Sequence, residues 1–420
     1  MFRKLVSLDE AIHIFEQQFH AKPGEVEQIS LSQAHQRVLA KDVKAPLNVP
    51  PFNRATVDGY AVHAADTFGA DEKQPVTLKL LGCVTIDEMP EIILNEGTTV
   101  GIVTGAPIPS GADAVVMMEY TIQKNKLVSI YRPVSQRENV MEAGSDIRKG
   151  ETMIRRDQLL SSRDIGVFAA LGFTKVDVYK RPRVAVLSTG AEIVEPGKSL
   201  VLGKIYDINA YTISAAVQEC GGQPSNFGIV PDEIDELRAV LKKALASADI
   251  IITSGGVSVG PKDVVPKVLN MLGKPGVIVS GIAIKPGKPT TIAIVNKKPI
   301  FSLPGHPTSS LLIFHVFVRP IILKMAGRQQ EPPFIVKATA AEKMFQAKGR
   351  RTFVMVDLIQ DESGKLLARP VALGLSGAIT TLSKAEGFVI IPERWQFINA
   401  GDDVTVHLFK PLPEFALSAK

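Results

Sequence analysis

Residues 183–190 read RVAVLSTG and residues 249–256 read DIIITSGG. Each is a continuous apolar run that ends in small polar residues and glycine. Runs of this kind suit strands buried on both faces, as in a parallel sheet covered by helices. The intervening sequence agrees. DINAYTISAAVQECGG (207–222) opens on capping residues and closes on Gly-Gly, and NFGIV (226–230) is a further strand. Residues 232–248 carry Ile234, Leu237, Leu241, Leu245 and Ala248 on one helical stripe. A helix is expected at 263–272, strands at 277–284 and 290–295, and a last helix at 308–325. Alternating buried strands and amphipathic helices make a doubly wound α/β domain with a parallel sheet. Ligands of such sheets bind at the carboxyl ends of strands, here STG, TSGG, KPGKP and LPGHP.

Outward from this domain the grammar changes. Toward the N-terminus, Ser7 and Glu10 form a capping box, with Ile12, Phe15 and Phe19 on one helical face. A second helix is predicted at 31–39. The Pro-rich PLNVPPFNRATVDGYAV (46–62) leads into short β-like segments, VTLKLLGCV, AVVMMEYTI and KLVSIYRPV. Residues 161–171 form a helix closed by Gly172, and the stretch 146–180 reads as the chain's return to the first helical layer, which makes the β segment an insertion. Toward the C-terminus, after QEPP (330–333), strands return at 352–359, 365–372, 387–393 and 403–409 as a small β domain.

The chain has 420 residues, 45% apolar and 22% charged, which suits several folded domains and excludes a mainly disordered chain. The net charge of +5 is small for this length and points to a cationic site for an anionic ligand as readily as to a nucleic-acid surface. No helix-turn-helix or RNA-binding signature occurs. Two cysteines, Cys83 and Cys220, exclude a disulfide scaffold and a multi-Cys zinc site, and both read as buried thiols. The N-terminus lacks signal-peptide features. The most apolar run, 311–323, is short and broken by His315, Arg319 and Pro320, so neither membrane insertion nor export is expected, and the expected location is the cytoplasm.

Four loops carry chemistry. In TSGGVSVGPKD (253–263), Gly255, Gly256 and Gly260 let backbone N–H groups approach an anion, and Asp263 either binds a metal or caps the next helix. Two decoys lie nearby. Gly256-Val-Ser258-Val-Gly260 has the spacing of a serine nucleophile elbow, but Pro261 stands where the helix should begin. GIAIKPGKP has five residues between Gly281 and Gly287, and Pro289 follows Lys288, so it is not a P-loop. In IKPGKP, Lys285 and Lys288 are held in a Pro/Gly frame that suits an oxyanion. LPGHPTSS opens the last helix, where backbone and hydroxyl groups bind anions. Asp58, Asp146, Glu192 and Asp232 sit at turns, each a cap taken singly, and together able to hold a divalent ion against phosphate.

FNRATVDGYAV, IVTGAPIPSGADAVVMME, AGSDIRKGE, VLSTGAEIV, ITSGGVSVGPKD, IKPGKPT, LPGHPTSS, GRRTF and LGLSGAITTL, in this order over most of the chain, resemble the MoeA family of molybdopterin molybdenumtransferases, to which the gephyrin E domain belongs. The resemblance implies a discontinuous helical subdomain (1–44 and 146–180), an inserted β subdomain (45–145), a MogA-like α/β domain (181–328) and a C-terminal β-barrel (332–412). It implies a homodimer whose site takes loops from both protomers. The implied reaction is insertion of molybdenum or tungsten, from molybdate or tungstate, into adenylylated molybdopterin with release of AMP and with Mg²⁺ involved. Protein partners would be the molybdopterin adenylyltransferase and cofactor-accepting enzymes.

By the same resemblance, Asp58, Thr104, Asp146, Asp263, Lys285 and Lys288 are catalytic, with the first three supplied by the partner subunit. Glu192, Asp232, Ser254, Gly255, Gly256, Ser258, Pro304, Pro307, Arg350 and Ser376 contact substrate or oxyanion, with Arg351 an alternative to Arg350. Asp263 and Glu192 take Mg²⁺. Gly281, His306 and Ala55 depart from the bacterial pattern, the first where a Lys is common. The alternatives are a non-catalytic scaffold, a serine hydrolase using Ser258, and an enzyme that performs the preceding adenylylation itself.

Overall fold

The computed structural model describes residues 5–257, 264–329, 334–371 and 379–410. The chain divides into two compact units, one of residues 1–27, 36–40 and 178–420, the other of residues 28–35 and 41–177.

The first unit is built on a six-stranded sheet. Its strands are β1 (Arg183–Thr189), β2 (Gln223–Val230), β3 (Ile250–Ser254), β4 (Pro275–Ser280), β5 (Thr291–Val295) and β6 (Lys298–Leu303), in spatial order β2-β1-β3-β6-β5-β4. The first four in that order run parallel. The expected parallel sheet is therefore mixed at one edge, because β5 and β6 form an antiparallel hairpin and β4 runs antiparallel to β5. Asn296 and Lys297, both at positive φ (51° and 63°), make the tight turn whose twist matches the flanking strands. β1 and β3 are buried almost throughout, as their unbroken apolar runs require.

Helices cover the sheet: α1 (Leu8–Gln18), α2 (Asn209–Glu219), α3 (Ile234–Ser247) and α4 (Val265–Leu272). In α1 the Ser7 hydroxyl accepts from the Glu10 N–H, the forward half of a capping box, and the Phe15 ring packs tilted at 45° with its centroid 5.5 Å from that of Phe301 of β6. The last helical run holds α5 (Pro307–Ile313), a π-helical stretch Phe314–Val318, and α6 (Arg319–Met325). Pro320 has no N–H to return to the carbonyl four residues back, so the helix opens into a wider turn there. The run Pro307–Met325 is long and apolar enough to cross a membrane by length and composition, and 61% of it is buried. Its Leu312, Phe314, Phe317 and Ile322 fill the core under the sheet.

Five strands, β7 (Ile335–Ala340), β8 (Arg351–Gln360), β9 (Leu366–Pro370), β10 (Gly387–Ile391) and β11 (Asp403–Leu408), close into a barrel through the pairings β7-β9-β8-β10-β11-β7. The short strand Ile284–Lys285 pairs in parallel with Arg351 and Thr352, which ties the KPGKP loop to the barrel.

The second unit holds a six-stranded sheet of order Ala114–Met117, Gly59–Val62, Thr98–Ile102, Val76–Val84, Leu127–Ile130 and Thr121–Lys124. It also holds helix Ser162–Ala170, capped by a reciprocal Ser161–Asp164 box and closed by Gly172 at φ 78°. Two expectations fail. Residues 31–39 hold the 3₁₀ turn Leu31–Gln33 in place of a helix: Leu31, Ala34 and Val38 are helically spaced, but Gln36 at φ 61° lies outside the helical region. Cys83 is exposed, on the outward face of an alternating strand, while Cys220 is buried.

Candidate functional site

A cavity of about 470 Å³ opens where three loops of the first unit meet. Lys285 and Lys288 enter it from KPGKP, Pro304 and His306 from the turn after β6, and Arg350 from the segment before β8. Gly287 (φ 110°) lets KPGKP lie against α5, since a Cβ there would stand 2.5 Å from Ile313 Cδ1. Among the described residues no carboxylate pairs with Lys285, Lys288 or Arg350. All three side chains line the cavity. Arg351 is differently placed. It donates to both oxygens of Asp9 at 2.9 and 2.7 Å and lies 3.0 Å from Glu393, so its charge is already met. The Asp9 hydrogen bonds hold the Arg351 guanidinium above its ordinary range and the Asp9 carboxyl below its own. Of the two adjacent arginines, Arg350 is the one that lines the cavity.

The glycine loop adjoins this cavity. Asn209, at the start of α2 and buried, donates to Ser254 Oγ at 2.6 Å and to the Gly305 carbonyl at 2.7 Å, so it holds TSGG beside LPGHP. Gly255 and Gly256 sit at φ 93° and 65°. A Cβ on Gly255 would stand 2.2 Å from the Thr189 carbonyl, and one on Gly256 would stand 3.3 Å from Asp232 Oδ1. Only glycine lets these strand ends come so close. Asp232 does not cap the helix it precedes: Glu233 is the N-cap position, with no side-chain cap bond. The Glu192 carboxylate lies over Gly190, where a Cβ would stand 2.9 Å from both oxygens. Around these loops the hydroxyls of Ser188, Thr189, Thr253 and Ser302 and the Asn209 carbonyl oxygen are buried without hydrogen-bond partners.

In the second unit, strand Arg54–Ala55 joins the remaining predicted loops. It bridges to Pro107 on one side and pairs with Val140 and Met141 on the other. Asn53 Oδ1 accepts from the Ala143 N–H, while its carbonyl accepts from Ile108. Asp58 Oδ1 accepts from the Thr104 N–H at 2.7 Å and its hydroxyl at 2.8 Å. These bonds, the backbone one foremost, hold the Asp58 carboxyl below its usual range, so it is ionised at neutral pH. Asp146 is exposed, its N–H on the Val49 carbonyl.

Pro307 is the first residue of α5. Ser258, Asp263 and Ser376 lie outside the described residues. Among the described residues no group of three His, Cys, Asp or Glu side chains is placed to hold a metal. Sequence reading took Asn209 as a cap only and passed over Thr352 and Thr381, which also line the cavity. The local sequence carries no signal for the last two, because their neighbours come from other loops.

Three family models match in register: the MoeA N-terminal region (domains I and II) over residues 6–172, a probable molybdopterin binding domain over 185–324, and the MoeA C-terminal region (domain IV) over 337–409. A molybdopterin molybdenumtransferase of Bacillus subtilis is 34% identical over 93% of this chain and 91% of its own length. A putative molybdopterin biosynthesis protein of Methanocaldococcus jannaschii is 32% identical over 92% of each. The crystal structure of a molybdopterin biosynthesis MoeA protein from Pyrococcus horikosii superposes with a TM-score of 0.85 at 40% identity, covering 97% of this chain and 100% of that one. The expected doubly wound domain and C-terminal barrel thus recur in a solved relative, and the chain belongs to the MoeA family, the molybdopterin molybdenumtransferases.

Proposed function

We propose that this chain acts in the last step of molybdenum cofactor biosynthesis, inserting molybdenum or tungsten from its oxyanion into adenylylated molybdopterin with release of AMP. The observation that carries this reading is the cavity lined by Lys285, Lys288 and Arg350, with no carboxylate paired to them among the described residues. A tetrahedral oxyanion supplies that missing charge, and charge-assisted hydrogen bonds from ammonium and guanidinium groups hold it in place.

In this reading the strand-end loops take the nucleotide part of the substrate. The N–H groups around Gly255 and Gly256 face its phosphates, and Asn209 keeps TSGG and LPGHP at a fixed spacing. As an oxygen of water or of the bound oxyanion bonds to phosphorus and the pyrophosphate bond breaks, negative charge grows on the oxygen that leaves, and Lys285 and Lys288 stabilise it where water would do so less well. Ser258 and Ser376 are assigned to substrate contact on the family pattern. Asp58 stays ionised under the Thr104 clamp. With Thr104 and Asp146 it completes the site from the partner subunit of a cytoplasmic homodimer, and the four subdomain spans follow the same pattern.

On the family pattern Asp263 and Glu192 would take Mg²⁺, which binds through one or two carboxylates together with substrate phosphates, and Asp232 would contact substrate. Bound there, Mg²⁺ would neutralise phosphate charge. The test is AMP release from adenylylated molybdopterin with Mg²⁺, in the absence and presence of molybdate and of tungstate. Oxyanion-dependent release with metal in the pterin product is expected. A folded chain that binds molybdate without releasing AMP would replace the transferase reading with that of a binding scaffold.

A further inference from the structure

Lys285 and Arg350 reach one cavity from different segments, and residues 344–352 show how the arginine is held there. The two-residue strand Met344–Phe345 pairs with Phe397–Ile398, and the Gln346 N–H donates to the Gln396 carbonyl at 3.0 Å. β8 begins at Arg351, whose N–H donates to the Ala283 carbonyl at 3.0 Å. Between these anchors, residues 347–350 make a tight turn closed by the Arg350 N–H on the Ala347 carbonyl at 2.9 Å. Gly349, the third residue of the turn, sits at φ 70°, which glycine adopts without strain.

Two side chains then close on the Arg350 carbonyl. Thr352 Oγ1 donates to it at 3.1 Å and Gln346 Nε2 donates to it at 2.9 Å. The same Thr352 oxygen accepts from the Ala347 N–H at 2.9 Å, and the same Gln346 nitrogen donates to the Glu393 carbonyl at 3.2 Å. Thr352 is buried, where such bonds are stronger than in water. The bonds on the Arg350 carbonyl join no two strands of the barrel. They fix the direction in which one side chain leaves the turn. Arg351 is held the other way, by its guanidinium on Asp9 and Glu393. One arginine is thus fixed through its side chain, and its neighbour through its backbone with the side chain left to the cavity.

Thr352 has a second part. In the parallel register of Ile284–Lys285 on β8 it pairs with Lys285, so one residue ties together the main chains that carry both cations. Two groups that are to bond one tetrahedral oxyanion need a fixed spacing, and fixing it beforehand leaves less freedom to be lost on binding.

We infer that Thr352 and Gln346 are positioning residues, which clamp the Arg350 carbonyl so that its guanidinium and the Lys285 ammonium meet one oxyanion together. The inference deepens the proposed function and rests on it for the oxyanion. Thr352 lines the cavity, but its hydroxyl is engaged on both sides, so it acts through Arg350.

Molybdate titrated calorimetrically into the full chain tests the clamp, with melting temperature and AMP release measured on the same samples. Thr352→Val removes the hydroxyl at nearly constant volume and should weaken molybdate about three- to tenfold, the worth of one such bond. Thr352→Ser should restore it. Gln346→Leu, at a half-buried position, should weaken it similarly, and decides alone if Thr352→Val does not fold. The deciding measurement is the cycle with Arg350→Ala. Once the guanidinium is gone, neither clamp variant should weaken molybdate further, whereas general damage to the barrel would weaken it in both backgrounds. The clamp is overturned if Arg350→Ala or either folded clamp variant binds molybdate as wild type does, or if the losses add in the double variants. Wild type that binds molybdate without releasing AMP sinks the transferase reading and leaves the clamp standing. Wild type that binds no molybdate overturns both.

Discussion

The two ends of the sheet β2-β1-β3-β6 treat charge in opposite ways. At the amino ends Arg183 grips Asp249 through two nitrogens, Lys180 meets Glu25, Arg37 meets Glu27, and Lys298 donates to the Leu245 carbonyl. At the carboxyl ends Lys285 and Lys288, with Arg350 beside them, have no such partners among the described residues. The same fold closes its charges at one end and leaves them open at the other. An open charge costs stability and is retained where a ligand completes it. The end with fewer ion pairs among the described residues is the one we propose as functional.

Replacing an open charge gives the sharpest test. Lys285→Ala is expected to lower AMP release roughly 100- to 1000-fold, the usual cost of one oxyanion donor. Lys285 is exposed, so the melting temperature should hold. The neighbouring arginines sharpen the contrast. Arg350→Ala should behave like Lys285→Ala, whereas Arg351→Ala, which loses Asp9 and Glu393, should cost about 1 kcal/mol of stability and leave molybdate binding intact. Equal losses of activity in the two would erase the distinction between open and closed charges.

Acid should reach the two ends at different pH. His315, pushed down by burial and by the charge of Arg319, titrates at about 4 when folded and near 6.5 when unfolded. Between those values the unfolded chain takes up the proton and the folded one does not, so stability falls as pH drops from about 6.5 to 4, by about 3 kcal/mol in all. Arg319, Lys384, Lys410, Glu219 and Glu386 face the same region. At the amino end, burial pushes Asp249 up, but the hydrogen bonds and charge of Arg183 outweigh it and leave the carboxyl below its usual 3.8. Its contribution is present above that value and is lost only at lower pH. His315→Leu should therefore flatten chemical denaturation profiles between pH 6.5 and 4 and leave the steeper loss below pH 4.

Gly255→Ala should cost about 2 kcal/mol through strain at φ 93° and the clash with Thr189, seen as a lower denaturation midpoint and weaker nucleotide binding. A glycine at an open position such as Gly150, whose Cβ would meet nothing within 4 Å, should lose less and keep binding.

What could be read from the sequence follows the same division. The loops that meet at the cavity were legible because Gly, Pro and Lys cluster at strand ends, so TSGG, KPGKP and LPGHP stood out. Local capping was legible in Ser161 with Asp164. The rest required the fold. Arg350 and Arg351 are equivalent in sequence, and only the contact of Arg351 with Asp9, 342 positions away, separates them. His315 read as a break in an apolar run, because a π-helical stretch leaves no local mark beyond Pro320. The hairpin of β5 and β6 hid behind Asn-Lys, a pair without the Gly that usually announces such a turn. Cys83 was misread because its neighbours in sequence are apolar while its side of the strand faces outward.

The smallest effect tests the closed end. Arg183 is exposed, and pairs near the surface contribute little, so Arg183→Ala should cost no more than about 1 kcal/mol. Asp249, less exposed than its partner, then keeps its charge with less compensation, and its carboxyl should move up, as burial is opposed only by the backbone N–H of residue 183 and by Lys298. The acid limb of the stability profile should shift to higher pH by that amount, while AMP release and molybdate affinity stay unchanged. A loss of activity as large as that of Lys285→Ala would mean that the amino end, for all its paired charges, also serves the reaction, and ion-pairing would no longer separate the two ends.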